Sequence, residues 1–354
     1  MPCYHPIKAY RSRSGRNQEN QKWPVVFKRQ EGYSDKELQL PCGRCVGCRL
    51  DRSRVWAIRC MHEYQIMQEQ CRPSVFLTLT YSDDNIPAGG SLEPQDMVRF
   101  LKRLRKHFVP INPYSKLKER ENWNKFNEQT RIRFYQCGEY GERTNRPHHH
   151  AIIFGLDFDD KKFHSNNRGN VLYKSEILEK LWPHGYSLIG SVTFDSCAYV
   201  ARYIMKKSLG KDAWKSYTDI DVTTGEVINE RVPEYTTMSR NPGIGKTWYD
   251  KYKSDVYNKA VGGYIVNKGG DKIKPPQYYE NLFERESPDV YREVVDKQGR
   301  QLRKQFVSLG QRSLMLVSRR KEAEKNKDDN TLERLRVKEK VKVAALSQLK
   351  RELE

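Results

Sequence analysis

His148, His149 and His150 stand in a row at the head of an apolar run, Pro147-His-His-His-Ala-Ile-Ile-Phe-Gly155. In a β-strand side chains alternate between faces, so His148 and His150 project from one face about 7 Å apart along the chain. That is close enough to share a metal ion. His149 points to the other face and is not expected to be a ligand. Further along comes Tyr199-Val-Ala-Arg-Tyr203-Ile-Met-Lys-Lys207, where two tyrosines and a lysine fall at i, i+4 and i+8 on one face of a helix.

A divalent cation needs more than two imidazoles, and imidazole with carboxylate suits Mn, Mg, Zn or related ions. Glu139 and Glu142 both precede the histidines. Glu139 directly continues the facing strand and is the better placed to sit opposite His148, whereas Glu142 falls in the turn. Taken singly, each motif also fits a bland role: strand-end histidines bonded to backbone or solvent, and half-buried aromatics beside a surface lysine. Together they make a mechanism. A phenol, with a pKa near 10, is a poor nucleophile until it is deprotonated or activated. A metal on the scissile phosphate stabilises the charge that builds on its oxygens. Attack by a tyrosine oxygen would release a 3′-hydroxyl and leave a 5′-phosphotyrosine, and attack by a 3′-hydroxyl would reseal the strand without ATP. A second tyrosine one turn away would permit a second cleavage, with Lys207 neutralising or orienting the phosphate. The combination points to an enzyme that cuts DNA and attaches itself to the cut end.

The elements that must position these residues are legible as a pattern. The spacing predicts a helix over 46–70, a buried strand over 74–81, a helix over 91–107 opened by Pro94, and a strand over 131–137. A turn through 138–146 joins that strand to the histidine strand as a hairpin. A short helix over 175–182, a strand over 186–192 and the tyrosine helix over 195–207 follow. The result is an α+β fold, an antiparallel sheet with flanking helices. Residues 1–73 read as a basic, Cys-containing segment, polar and loop-rich over 1–41. Residues 74–210 read as the catalytic core, 211–312 as an accessory region of short strands and turns, and 313–354 as a charged helical tail.

Lys and Arg number 65 against 45 Asp and Glu, a formal charge of +20. That excess favours a polyanionic partner, most simply nucleic acid. No stretch approaches the roughly 20 apolar residues of a membrane span. The N-terminus lacks the apolar core of a signal peptide, so the eight cysteines are read as cytosolic thiols or metal ligands. Cys42-x-x-Cys45-x-x-Cys48 is a compact thiolate cluster. A bacterial ferredoxin run would need a fourth Cys at Arg52, so an iron–sulfur cluster is disfavoured. A structural zinc needs a fourth ligand, which Cys3 or His5 could supply. Asn241-Pro-Gly-Ile-Gly-Lys-Thr247 lacks the first glycine of a phosphate loop, whose position is Arg240. No ATP site is expected; a turn, or a turn on the DNA backbone, fits better. Arg99, Lys102, Arg103 and Lys106, with the arginines around 49–59, are candidates for phosphate contacts.

The catalytic pieces resemble the HUH endonuclease superfamily. More closely, they resemble the replication initiators of the microviruses, especially the gokushovirus branch. The matching pieces are Phe76-Leu-Thr-Leu-Thr-Tyr81, Cys137-Gly-Glu-Tyr-Gly-Glu142, Arg146-Pro-His-His-His150 and Tyr199-Val-Ala-Arg-Tyr203-Ile-Met-Lys-Lys207. The Cys42–Cys48 segment and Met238-Ser-Arg-Asn-Pro-Gly-Ile-Gly245 are similar to that branch as well. The resemblance implies a ferredoxin- or RRM-like sheet, a Mg²⁺ or Mn²⁺ cofactor, nicking at a phage origin, covalent 5′ attachment and circularisation of the displaced strand. It also implies single-stranded origin DNA and a host helicase and polymerase as partners, in the host bacterial cytoplasm. His149 departs from the pattern, which usually has a hydrophobic or aromatic residue there. Two other readings stay open: another HUH enzyme (plasmid initiator, relaxase or transposase), and a non-catalytic zinc-containing nucleic-acid-binding protein.

Overall fold

The computed structural model describes residues 3–15, 17, 24–109, 130–141, 144–167, 169–202, 213–221, 223–258, 263–266, 270, 272–291 and 331–347. Near the N-terminus, Ile7–Ser12 (β1), Val25–Val26 (β2) and Gly32–Leu40 (β3) form an antiparallel sheet in the order β2-β1-β3. This corrects the reading of 1–41 as loop-rich. Within β1 only Ala9, Tyr10 and Ser12 are buried. Backbone pairing rather than an apolar run holds these strands, and apolar periodicity therefore misses them.

Val46–Glu69 forms the long helix α1. One compact unit is built from Met1–Arg52 and Gly310–Arg351, and includes a helix at Leu332–Ser347. The second unit spans Ser53–Leu309 and holds a seven-stranded sheet.

That sheet is the scaffold of the candidate site. Its strands are Ser74–Tyr81 (β4), Arg133–Tyr140 (β5), Pro147–Phe154 (β6), Lys162–Asn167 (β7), Asn170–Lys174 (β8), Gly185–Ser191 (β9) and, after a separate pair Thr218–Ile220 (β10) and Val227–Glu230 (β11), Tyr235–Met238 (β12). The order is β12-β5-β6-β4-β9-β8-β7, and every pair is antiparallel. The α+β class and the hairpin joining β5 to β6 agree with the sequence reading. The β7–β8 hairpin and the added edge strand β12 go beyond the sequence expectation, because both are short or polar and are held by neighbouring strands. Apart from the exposed Phe163, Lys162-Phe-His-Ser-Asn-Asn167 is polar, as an edge strand tolerates.

The buried, apolar strands carry cores on both faces of the sheet. Helix α2, Pro94–Phe108, opens with Pro94 and with Glu93 accepting from the Gln95 N–H at 2.9 Å. It lays Met97, Phe100, Leu101 and Leu104 on Val75, Leu77, Leu79 and Ile153, together with Leu178 and Leu181 of the short helix α3, Glu176–Leu181. On the other face, α1 from Ser53 onward packs Ala57, Cys60, Ile66 and Met67 against Phe76, Tyr135, Ile152 and Phe154. Helices Phe194–Arg202 (α4), Lys246–Val256 (α5) and Gln277–Glu286 (α6) complete that layer. None of the described helices is long and apolar enough to cross a membrane.

A buried ion pair joins the second layer to the sheet. Arg133 of β5 pairs with Glu63 of α1, whose other oxygen accepts the Gly245 N–H at 2.7 Å. The turn at 241–245 is thus drawn inward: Arg133 also donates to the Pro242 carbonyl (2.9 Å), and Arg59 to that of Ile244 (3.0 Å). Gly245 holds φ +79°, and a Cβ there would meet the Tyr279 hydroxyl at 2.2 Å. The close approach of Tyr279 and the positive φ together call for glycine at this position.

In the same layer His62 stacks on Trp248, with centroids 3.6 Å apart, and its Nδ1 lies 3.0 Å from the Tyr279 hydroxyl. Burial holds His62 down at about 3. The unfolded chain takes up a proton near pH 6.5 that the folded chain refuses until about pH 3, so acid favours unfolding by up to roughly 1.4 kcal/mol per pH unit. In urea unfolding between about pH 6 and pH 4, His62→Phe should flatten the loss of stability by about that slope. An unchanged slope contradicts the neutral, buried imidazole.

Candidate active site

The register of three strands builds the site. Glu139 and Cys137 of β5 lie opposite His148 and His150 of β6, and on the other side Thr80 and Thr78 of β4 lie opposite the same two histidines. Residues directly opposite share a face, so Glu139, His148 and His150 emerge together. Glu139 Oε1 lies 2.9 Å from His148 Nε2 and 3.0 Å from His150 Nε2. The three ligand atoms all fall within 4.8 Å of one another. Glu139 and His150 are buried, while the His148 side chain keeps 13% of its surface exposed and marks the open side.

Both imidazoles are held from behind. His148 Nδ1 is 3.0 Å from the Arg146 carbonyl, and His150 Nδ1 is 3.1 Å from Thr78 Oγ1. An Nδ1–H donated to such acceptors leaves the Nε2 lone pair for a cation, the usual outer-shell arrangement for a ligating histidine. Arg146 is itself fixed: it pairs with Asp83, and its Nη1 donates to the Tyr81 carbonyl at 3.1 Å. Burial raises the Glu139 carboxyl, but the adjacent His148 and His150 imidazoles outweigh it and hold the group at about 2. The donor set is therefore two imidazoles and a carboxylate. Neighbouring donors around an octahedral ion at about 2.1 Å stand roughly 3.0 Å apart, which the Glu139–histidine separations match. The residues fit a divalent cation.

His149 faces away, as its position in the strand requires. It is fully buried, with Nε2 3.2 Å from the Tyr81 hydroxyl and Nδ1 3.4 Å from that of Tyr235. Tyr81 in turn donates to Asp96 at 3.1 Å. Burial holds His149 down at about 3, helped by neighbouring imidazoles. Opposite it stands Gly138, where a Cβ would meet the Tyr235 ring at 2.6 Å and His149 Nδ1 at 3.1 Å. The extra imidazole is thus accommodated by a missing side chain.

Tyr199 of α4 comes to the sheet face that carries His148 and His150. Its ring stands edge-on to His150 with centroids 5.0 Å apart, and edge-on to Phe76 at 6.3 Å. Ser196 and Thr193 cap the helix start, the Ser196 N–H donating to Thr193 Oγ1 at 3.1 Å. Tyr203, Lys207 and Glu142 lie outside the described residues.

The other candidates fall elsewhere. Arg99, Lys102, Arg103 and Lys106 ride on α2, across the sheet from His148 and His150. Arg99 pairs with Asp96 at 3.0 Å, Arg103 Nε donates to the Leu181 carbonyl at 2.9 Å, and Lys102 and Lys106 are exposed. Of the arginines at 49–59, Arg59 is buried between the Trp56 and Tyr278 rings. Cys3, Cys42, Cys45 and Cys48 meet in the first unit. Thr78 and Arg146 stand in motifs quoted from the sequence, yet their supporting roles follow only from strand register.

Comparisons with known proteins agree on one group. A family model described as replication-associated protein ORF2/G2P matches residues 74–208. The replication-associated protein VP4 of Bdellovibrio phage phiMH2K is 33% identical over 303 residues, covering 84% of this chain and 82% of that protein. The replication-associated protein ORF2 of Spiroplasma virus 4 is 28% identical over 309 residues, 82% of this chain and 83% of its own length. The replication-associated protein ORF4 of Chlamydia phage 1 is 32% identical over 174 residues, covering 48% and 38%. No solved structure matches the chain.

The site predicts a graded response of cation binding. Measured by Mn²⁺ titration, Glu139→Gln or His150→Ala should weaken affinity by roughly 100-fold or more, and Thr78→Val by about tenfold. Wild-type affinity in either ligand variant contradicts the assignment.

Proposed function

This chain belongs to the replication-associated proteins of the microviruses, and from that membership and the site's geometry we propose that it starts rolling-circle replication by nicking the origin strand through a tyrosine and later rejoining it. The observation that carries the reading is the convergence of Glu139, His148 and His150 with Tyr199 5.0 Å from the His150 ring. A bare cation site fits many reactions; a phenol beside it narrows the chemistry to transesterification.

Glu139 Oε1, His148 Nε2 and His150 Nε2 would hold Mg²⁺ or Mn²⁺, which when bound polarises the scissile phosphate and offsets charge on its oxygens. The remaining work belongs to side chains. Arg146 and Thr78 keep the two imidazoles turned so that Nε2 faces the site. Either Tyr199 or Tyr203 supplies the attacking oxygen. The new bond joins that oxygen to phosphorus, the bond to the 3′ oxygen breaks, and the proton lost by the phenol is balanced by the one gained by the 3′-hydroxyl. The link to the 5′-phosphate keeps the phosphodiester energy, so a returning 3′-hydroxyl can reverse the step. Lys207, eight residues beyond Tyr199 in the sequence, is proposed to neutralise the phosphate.

Single-stranded origin DNA is the proposed substrate, and the formal charge of +20 supports a polyanionic partner. Lys102 and Lys106, exposed across the sheet from the site, are proposed backbone contacts that affect binding more than cleavage. In the bacterial cytoplasm a host polymerase would extend the released 3′ end while a host helicase displaces the strand.

The test uses the full chain, single-stranded DNA carrying its own origin, and Mg²⁺ or Mn²⁺. A protein–DNA adduct that survives denaturation should form, and peptide mapping should place the nucleotide on Tyr199 or Tyr203. Tyr199→Phe with Tyr203→Phe, and separately His148→Ala with His150→Ala, should lower adduct formation by about 10³-fold or more. No adduct from the wild type with either cation, or an undiminished adduct from the double tyrosine variant, overturns the mechanism.

A further inference from the structure

The cleavage chemistry makes no use of the four cysteines of the first unit. Cys42, Cys45 and Cys48 straddle the start of α1, and Cys3 returns from the N-terminus to join them. All four Sγ atoms lie within 4.8 Å of one another. Cys42 and Cys48 sulfurs are 4.0 Å apart, and those of Cys3 and Cys45 are 3.9 Å apart. A disulfide needs about 2.05 Å. Four thiolates at about 2.3 Å from one zinc ion stand roughly 3.8 Å from each other, which is the spacing seen.

The backbone is arranged for thiolates. The Cys42 N–H points at Cys3 Sγ (3.2 Å), the Cys45 N–H at Cys42 Sγ (3.3 Å) and the Tyr4 N–H at Cys45 Sγ (3.3 Å). A neutral thiol is a weak acceptor, whereas a metal-bound thiolate carries the charge that such donors stabilise. Gly43 supplies the turn between the first two ligands with φ +73°, a conformation that an L side chain adopts only under strain. His5, the other possible fourth ligand, is engaged elsewhere: its Nε2 lies 2.5 Å from Glu339 Oε2. Four sulfurs around one point, with no acid or imidazole among them, are a closed structural set rather than an open catalytic one.

Beyond the β1–β3 pairing and the buried Ala9 and Tyr10, the described residues of the unit bury little apolar surface. Among its described residues, the apolar cluster has Tyr4, Cys45 and Leu335 as its buried members, with the remaining three cysteines packed around them. Units with so little core are commonly held by a metal. We propose that Cys3, Cys42, Cys45 and Cys48 bind one structural zinc ion, and that this ion, tying residues 3–5 to the 42–48 turn beside Leu335, replaces an apolar core as the organiser of the first unit.

The proposal is independent of the cleavage mechanism and is read without activity. The full chain, purified under reductant without chelator, should contain about one equivalent of zinc by elemental analysis, retained through EDTA dialysis that empties an Mg²⁺ site and released by a mercurial thiol reagent. Cobalt substitution should give the intense sulfur-to-metal charge-transfer bands of a tetrathiolate. Cys3→Ser should weaken those bands while leaving a three-sulfur signature. Zinc removal should raise hydrogen exchange in β1, β3 and Leu332–Ser347, with β4, β5 and β6 unchanged. Zinc content below about 0.2 equivalent in the wild type, or two disulfides found under non-reducing conditions, overturns the proposal. Neither measurement depends on a variant that folds.

Discussion

The antiparallel register of β4, β5 and β6 is the constraint on which the site depends. Side chains in a strand alternate with period two, so a slip of one residue would send His148 and His150 to the α2 face and bring His149 forward. The register is pinned from both sides of the sheet. On one face Leu77, Leu79, Ala151 and Ile153 are buried under α2 and α3, and on the other Phe76, Tyr135, Ile152 and Phe154 are buried under α1 and α4. A slip would exchange these two apolar sets and pull Glu139 out of line with His148. The candidate metal donors are thus placed by hydrophobic burial several residues away, not by their own mutual attraction.

The same alternation explains why three adjacent histidines have different environments. His148 sits at the partly open end, His150 is buried with its Nδ1 against Thr78, and His149 is sealed between Tyr81 and Tyr235. The Glu139 carboxyl stays charged because it has two imidazole partners, while His149 stays neutral because its partners are phenols and burial dominates. On the site face the layer is anchored by the Glu63–Arg133 pair, which also draws in the 241–245 turn. Removing either partner would leave the other charge buried without compensation, a cost of about 3–5 kcal/mol.

The parts of the fold with strong local signals were readable in the sequence. Strands β4 and β6 are apolar runs bounded by turn residues, α2 carries Pro94 at its start, and Ser175 caps α3. Glu139 was readable too, because a hairpin of known turn places the end of β5 beside the start of β6. The remaining elements lack a local signal. The strands β1 to β3, the β7–β8 hairpin and the edge strand β12 are short or polar, and exist because a neighbouring strand offers hydrogen bonds. Arg59 and Arg103 read as surface cations, yet the Nε of each donates to a backbone carbonyl distant in sequence, that of Ile244 and of Leu181. Cys3 was one of two options for closing the cysteine set; only the folded chain puts its sulfur, rather than the His5 ring, against Cys45.

The central claim is that strand register alone delivers three ligands from two strands to one cation beside Tyr199. Anomalous diffraction from crystals of the full chain grown with Mn²⁺ tests it most directly. The account predicts one strong peak within bonding distance of Glu139 Oε1, His148 Nε2 and His150 Nε2, on the Tyr199 side of the sheet. A peak bound by His149, or ordered density for the three side chains with no manganese between them at saturating metal, would contradict it.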